Sequence, residues 1–434
     1  MSEIRSLSGK SIMLDDAVRG VPTGEARFCA SEIAAKRWRP QDGAMALPVL
    51  TLDEAAFVHN GELMHRYAAS CGALIAPHAK TSMAPDLVRW QIERGAWGAT
   101  VADPRQAEVM ARAGVDRLIL ANEVGGASGA LRLARFVAAR PNTELYAFAD
   151  SPAAVAALAG AWRENPALPP LRVLAEVGAG RAGARTLAEA IAVAEAVLSS
   201  DGRLTLDGVS TYEGPAERAT LDETLAAIAA LMALVADALV EVRRRVGPNK
   251  QLIVTAGGSS FFDLVVERLK PAVARDGLAR LVLRSGSIYF HDHGVYDRGM
   301  ADIDARRGFA LDGEIVSARA AFRPALRVWA EVLSRPERGL AICGLGKRDV
   351  SFDCDLPRPL LVHRAGRSRP VAARAAKLND QHVFLAVSAD DEIAVGDVVE
   401  FGVSHPCTCI DRYSFIFGVD EEGFIRHAFP TFFG

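Results

Sequence analysis

The chain has 434 residues, half of them hydrophobic and 24% charged, with a formal net charge of −3. That balance leaves no basic excess for nucleic acid or an anionic membrane, and six cysteines in a chain this long make no disulfide framework. The sequence opens without an apolar h-region, and no uninterrupted apolar run approaches the ~20 residues of a membrane span, so a cytoplasmic enzyme is the expectation.

Residues 1–46 are hard to place, and LPVLTL (47–52) reads as a strand lent to a later β-rich region. From residue 74 short apolar runs recur, each ending in polar or glycine residues. They are LIAPHAK (74–80), GATVAD (98–103), RLILAN (117–122) and ELYAFAD (144–150), then RVLAEVG (172–178), LDGVSTYEG (206–214), LIVTAGGS (252–259) and RLVLRSG (280–286). Alanine-rich stretches such as PRQAEVMARAGV and RTLAEAIAVAEAVLSS separate them and carry helix signals. Strands alternating with helices predict parallel βαβ units, and eight of them fit a (β/α)8 barrel. An open doubly wound sheet is the rival, but it expects a glycine fingerprint after its first strand, and PHAKTSM contains no glycine. After residue 310 the texture becomes β-rich, with ALRVWAEVLS, HVFLAVSA, DVVEFGVS and YSFIFGV separated by turn residues. The predicted organisation is an N-terminal segment (1–52) contributing to the β-domain, a barrel (53–310), and a C-terminal all-β domain with a metal site (311–434).

A barrel of this kind carries its chemistry at the C-terminal ends of its strands. Strand one ends in His78, Lys80 and Thr81, and strand five runs into Glu176 and Arg181. Strand six carries Tyr212, strand seven ends in Gly257, Gly258 and Ser259, and strand eight in Arg284, Gly286, Ser287, Tyr289 and Asp292. The Gly/Ser ends of strands seven and eight suit a phosphate, which backbone N–H groups at a helix N-terminus receive; the alternative is a plain strand-to-helix turn. A phosphate site facing a lysine suggests pyridoxal 5′-phosphate (PLP), with Lys80 as the Schiff-base lysine. Otherwise Lys80 is a strand-end lysine reaching into water. His78, two residues before Lys80, shares its face and is read as a further cofactor contact, or as a satisfied strand-end histidine. Tyr289 contacts the cofactor or merely ends strand eight.

Near the C-terminus, VSHPCTCID places His405 and Cys407 two apart, on one face if that segment is extended. Imidazole plus thiolate suits zinc, or another divalent metal, and two protein ligands leave positions for substrate. A buried pair without metal is the alternative, and Cys409 is either a third ligand or core. Cys343 and Cys354, too far apart for a C-x-x-C pair, are expected in the β-domain core.

The motifs PHAKT (77–81), GAGRAG (178–183), TYEG (211–214), TAGGS (255–259), GSIYFHD (286–292), LNDQH (378–382) and SHPC (404–407) occur in one order. In that order they resemble the fold-type III PLP enzymes, in particular the D-serine dehydratase/D-threonine aldolase branch, whose barrel is like that of alanine racemase. The resemblance implies a homodimer whose sites the partner subunit completes. It implies Arg181 and Tyr212 around the PLP ring and Gly257, Gly258, Ser259, Gly286 and Ser287 at the phosphate. His405 and Cys407 would be the metal ligands. Aldolases of the branch typically carry aspartate where this chain has Cys407, which argues for a dehydratase acting on a small D-amino acid. The expected reaction removes the β-hydroxyl of a D-3-hydroxy amino acid such as D-serine, giving a 2-oxo acid and ammonia. D-threonine aldolase is the alternative, and a racemase or a PLP-carrier protein is less favoured. Gln381 departs from the acidic residue usual before His382, so His382 is given no role.

Overall fold

Each of the eight apolar runs becomes a parallel strand because a strand covered by helices on one side and packed within a barrel on the other needs apolar residues on both faces. The computed structural model describes Ile4 and residues 12–433. The strands are β1 (Leu74–Ile75), β2 (Ala99–Val101), β3 (Arg117–Leu120) and β4 (Glu144–Ala149). They continue as β5 (Leu171–Glu176), β6 (Leu204–Ser210), β7 (Ile253–Ala256) and β8 (Arg280–Leu283). They pair in the order β1-β8-β7-β6-β5-β4-β3-β2, and a parallel bridge between His78 and Thr100 closes the ring.

Inside the ring Ala76, Ile119, Tyr146, Phe148, Leu174, Ile253 and Val282 form a core of their own, separate from the larger core between strands and helices. Side-chain caps set where each loop ends and its helix begins. Ser151 accepts from the Ala154 N–H, while Thr186 with Glu189 and Thr220 with Glu223 form capping boxes. Gly208 is required in β6, since its φ is +145° and a Cβ there would stand 1.9 Å from the Ile253 carbonyl oxygen. The register of β5 against β6 shifts at the same place, where Asp207 is the extra residue, so Asp207 and Gly208 form a bulge.

Beyond Phe309 the chain builds nine strands of a ten-stranded sheet around the long strand Leu326–Glu337. Val49–Asp53 joins this sheet, antiparallel to Leu326–Glu337 and parallel to Phe415–Val419, before the chain enters the first barrel helix. The expectation for 1–52 lies partly outside the described residues (1–3 and 5–11). Further along, Leu14, Val21, Phe28, Ile33 and Trp38 pack with Val49, Trp329, Val398 and Phe417 on the sheet.

Candidate active site

Beyond β1 the chain continues through Pro77 to His78 and then makes one tight turn, Ala79–Thr81. His78 caps that turn, its Nδ1 accepting from the Lys80 N–H at 3.4 Å. Burial, together with the charges of Lys80, Arg284 and Arg181, holds the His78 ring well below the ordinary histidine value, so it is a neutral wall. The turn sends the Lys80 side chain into a cavity of about 330 Å³ at the barrel mouth. Solvent reaches the amine within that cavity, yet protein surrounds it. Burial lowers Lys80 from its ordinary value; Cys407 opposes the shift, and Arg181 and Arg284 add to it.

The strand ends expected to carry chemistry converge here. His78, Lys80, Arg181, Tyr212, Gly258, Ser259, Gly286, Ser287, His405 and Cys407 all line the one cavity. Arg181 lies over the Tyr212 ring at 5.4 Å from its centroid. A Cβ on Gly286 would meet the His78 N and O atoms at 2.6 Å, and one on Gly258 would meet the Tyr212 ring at 3.0 Å. Gly286 and Gly258 are thus held against the His78 backbone and the Tyr212 ring, where no side chain fits. An amine of lowered pKa, an aromatic face, two arginines and two glycine–serine loops fit PLP.

Two expected cofactor contacts lie elsewhere. Gly257 is not on the cavity wall. Its N–H, at 3.2 Å, and that of Gly258, at 2.5 Å, both donate to the buried Glu213 carboxylate. Tyr289 is fully buried and packs on Phe57 and His65, away from Lys80. The cause is a single helical turn over Ser287–Tyr289, which faces Ser287 to the cavity and rotates Tyr289 into the core.

The C-terminal domain supplies the remaining wall. Cys407 Sγ lies 3.3 Å from Ser287 Oγ and 3.5 Å from Thr81 Oγ1, and those two hydroxyls are 2.9 Å apart. Burial alone would raise the Cys407 thiol; hydrogen bonds from His405, Ser287 and Thr81 outweigh it and lower the thiol below its ordinary value. His405 is raised to about 9, first by its hydrogen bond to Cys407, against burial, and further by the Cys407 charge and by Asp353. A thiolate donor beside an imidazole fits a soft divalent metal such as zinc. The pair does not sit on an extended segment, because Cys407–Ile410 is a helical turn. Cys409 is fully buried in the core. Cys343 is core as expected, but Cys354 is exposed and stands 3.9 Å from His405 Nδ1.

Residues 52–263 match the alanine racemase N-terminal domain, and residues 325–419 match the putative serine dehydratase domain. The chain thus joins an alanine racemase N-terminal domain to a putative serine dehydratase domain. D-threonine aldolase from Filomicrobium marinum is similar to this chain at 26% identity and a TM-score of 0.71, over 89% of this chain and 95% of the other. D-threo-3-hydroxyaspartate dehydratase from Delftia sp. HT23 has 22% identity and a TM-score of 0.69, over 89% and 98%. A cysteine-to-alanine mutant of D-threo-3-hydroxyaspartate dehydratase in the metal-free form gives 22% and 0.68, over the same shares. No curated protein sequence matches the chain.

Three further residues belong to the candidate site. Arg284 was noted only as a strand end, yet it lies almost wholly buried on the cavity wall, donating to Thr255 Oγ1 at 2.9 Å and the Thr211 carbonyl at 2.6 Å. Tyr296, on the helix after β8, lines the cavity within hydrogen-bond reach of Ser287. Asp353 bonds His405 at 2.7 Å. An arginine at a buried strand end is a signal for the first, Tyr296 has no local signal, and Asp353 has only its segment, CGLGKRDVSFDCD (343–355), which reads as a loop reaching towards an active site.

Proposed function

We propose that the enzyme is a PLP- and zinc-dependent D-serine dehydratase (D-serine ammonia-lyase), removing the β-hydroxyl of a D-3-hydroxy amino acid to give a 2-oxo acid and ammonia. The observation that carries this reading is the His405–Cys407 pair, facing the same cavity as Lys80 with its thiol held low. Bound at Lys80, PLP supplies an electron sink for the charge left at Cα when a proton departs. Zinc held by His405 and Cys407 supplies a Lewis acid for the departing hydroxyl.

The chain's own groups do the rest. Lys80 Nζ takes the Cα proton, which its lowered pKa favours, because less of the amine is protonated beforehand. Ser287 and Thr81 hold Cys407 as the thiolate a metal needs. His78 stays neutral and fixes the turn that aims Lys80. The C-terminal domain supplies one wall of the cavity through His405 and Cys407. The proposal includes a cytoplasmic homodimer.

D-threonine aldolase is the second reading, favoured by the 26% identical solved structure of that name. Separate incubations with D-serine and D-threonine, with and without prior chelation, decide between them when 2-oxo acid and glycine are both followed. Chelator-sensitive pyruvate from D-serine is the expected result. Glycine and acetaldehyde from D-threonine, without pyruvate from D-serine, would overturn it.

A further inference from the structure

The loop Ser351–Asp355 grips the segment that carries His405 and Cys407. Ser351 Oγ accepts from the His405 N–H at 3.1 Å, and Ser404 Oγ donates to the Asp355 carbonyl at 2.8 Å. Between these anchors Asp353 uses both carboxylate oxygens. Oδ2 lies 2.7 Å from His405 Nδ1, and Oδ1 accepts from Thr408 Oγ1 at 2.7 Å. The carboxylate thus spans Cys407, tying the residue two before it to the residue after it.

Asp353, Cys354 and His405 also put three donor atoms within 4.8 Å of one another, so they offer a rival ligand set built on His405 Nδ1. Distance decides between the two. Nitrogen and oxygen ligands on one tetrahedral zinc, each about 2.0–2.2 Å from the metal, stand roughly 3.3 Å apart. The 2.7 Å between Asp353 and His405 is instead the length of a charge-assisted hydrogen bond. A ring nitrogen that directs its proton at a carboxylate has no lone pair for a metal. The nitrogen left for one is Nε2.

We propose that Asp353 is the positioning residue of the metal site, fixing the His405 ring and tautomer so that Nε2 is the ligand atom, with Thr408 fixing Asp353 in turn. This rests on the reading of His405 and Cys407 as metal ligands. A carboxylate behind a metal-binding histidine sets its orientation and basicity, and its loss typically weakens metal binding about 10–100-fold. Asp353 is exposed, so its replacement leaves the core untouched.

The test is zinc affinity of the full-length, PLP-loaded protein, read by competition with a chromogenic chelator. Asp353→Ala should bind zinc about 10–100-fold more weakly than wild type. Asp353→Asn, which keeps an acceptor without the charge, should fall between the two. Thr408→Val should lose less than Asp353→Ala, and Cys354→Ala should match wild type. PLP absorbance and the melting temperature of zinc-free protein should not change. At saturating cobalt, Asp353→Ala should retain the thiolate charge-transfer band and the ligand-field spectrum of wild type. Equal zinc affinity in Asp353→Ala and wild type would overturn the proposal. So would an altered cobalt spectrum in Asp353→Ala together with weakened binding in Cys354→Ala, which would make the pair direct ligands. If wild type binds no zinc, or Cys407→Ala binds it as wild type does, the metal-site reading itself is overturned and this proposal with it.

Discussion

Lys80 serves as a base only to the extent that it is uncharged, and its surroundings push it that way through burial and two arginines against the opposing pull of Cys407. Replacing it tests both of its roles. Lys80→Ala should lower turnover at least ~10²–10⁴-fold, the usual contribution of a positioned base, and borohydride should no longer fix PLP to the protein. A variant that still acquired covalent label would place the reactive amine elsewhere. Glu176, at the end of β5, presents the opposite charge problem. Burial first, and then the neighbouring Glu123, raise it from 4.5 to about 9. Below about 4.5 the carboxyl is protonated in folded and unfolded chains alike, and no penalty applies. As pH rises the unfolded chain ionises first, so native stability falls until the folded group also ionises near 9. The loss is on the order of a few kcal/mol. Glu176→Gln should therefore melt with a flatter pH profile between 5 and 9 and be the more stable protein at the alkaline end, and identical profiles would contradict the shift.

At the scale of elements, the site depends on how closely the ends of β1 and β8 approach. Gly286 lies against the His78 backbone with no room for a Cβ, so Gly286→Ala must separate the two strand ends and shift the turn that aims Lys80. Its PLP affinity should fall by roughly tenfold or more, about 1.4 kcal/mol, measured by equilibrium titration; unchanged affinity would mean the glycine loop is not the cradle. The same elements explain what was legible in the sequence. All eight barrel strands could be read, because buried parallel strands are continuous apolar runs, and Lys80 stood out because an amine closes one of them. Tyr289 departs from the expected cofactor contact because the chain turns over Ser287–Tyr289, and a turn rotates every side chain away from strand parity. The segment CGLGKRDVSFDCD (343–355) reads as a loop reaching towards an active site, but nothing singles out Asp353 within it. It lies 52 positions before His405 in an irregular loop, and neither periodicity nor spacing reports a contact made across that distance.

For the whole molecule, the question is what keeps a thiol from one domain within hydrogen-bond distance of hydroxyls from another. Cys407 belongs to the C-terminal domain, while Thr81 and Ser287 belong to the barrel. The core is continuous between them. One cluster includes Leu283 and Ile288 at the end of β8, Leu52 on the lent strand, Val328 and Ala330 in the sheet, and Cys409 and Ile410 beside the metal pair. Leu52 is central, fully buried on the strand that pairs with both Leu326–Glu337 and Phe415–Val419 and then runs directly into the first barrel helix. A boundary crossed this way joins the two domains through one shared core, beside the smaller cores each keeps for itself. They should unfold as one unit, with far-UV circular dichroism, dominated by the barrel helices, and zinc release from the C-terminal domain following a single denaturant transition. Leu52→Ala should cost about 2–5 kcal/mol and move both signals together, since the cavity opens in a core they share. Zinc released in a separate, earlier transition would mean that the C-terminal domain comes away first. The pairing of Cys407 with Ser287 would then owe little to the packing beneath it.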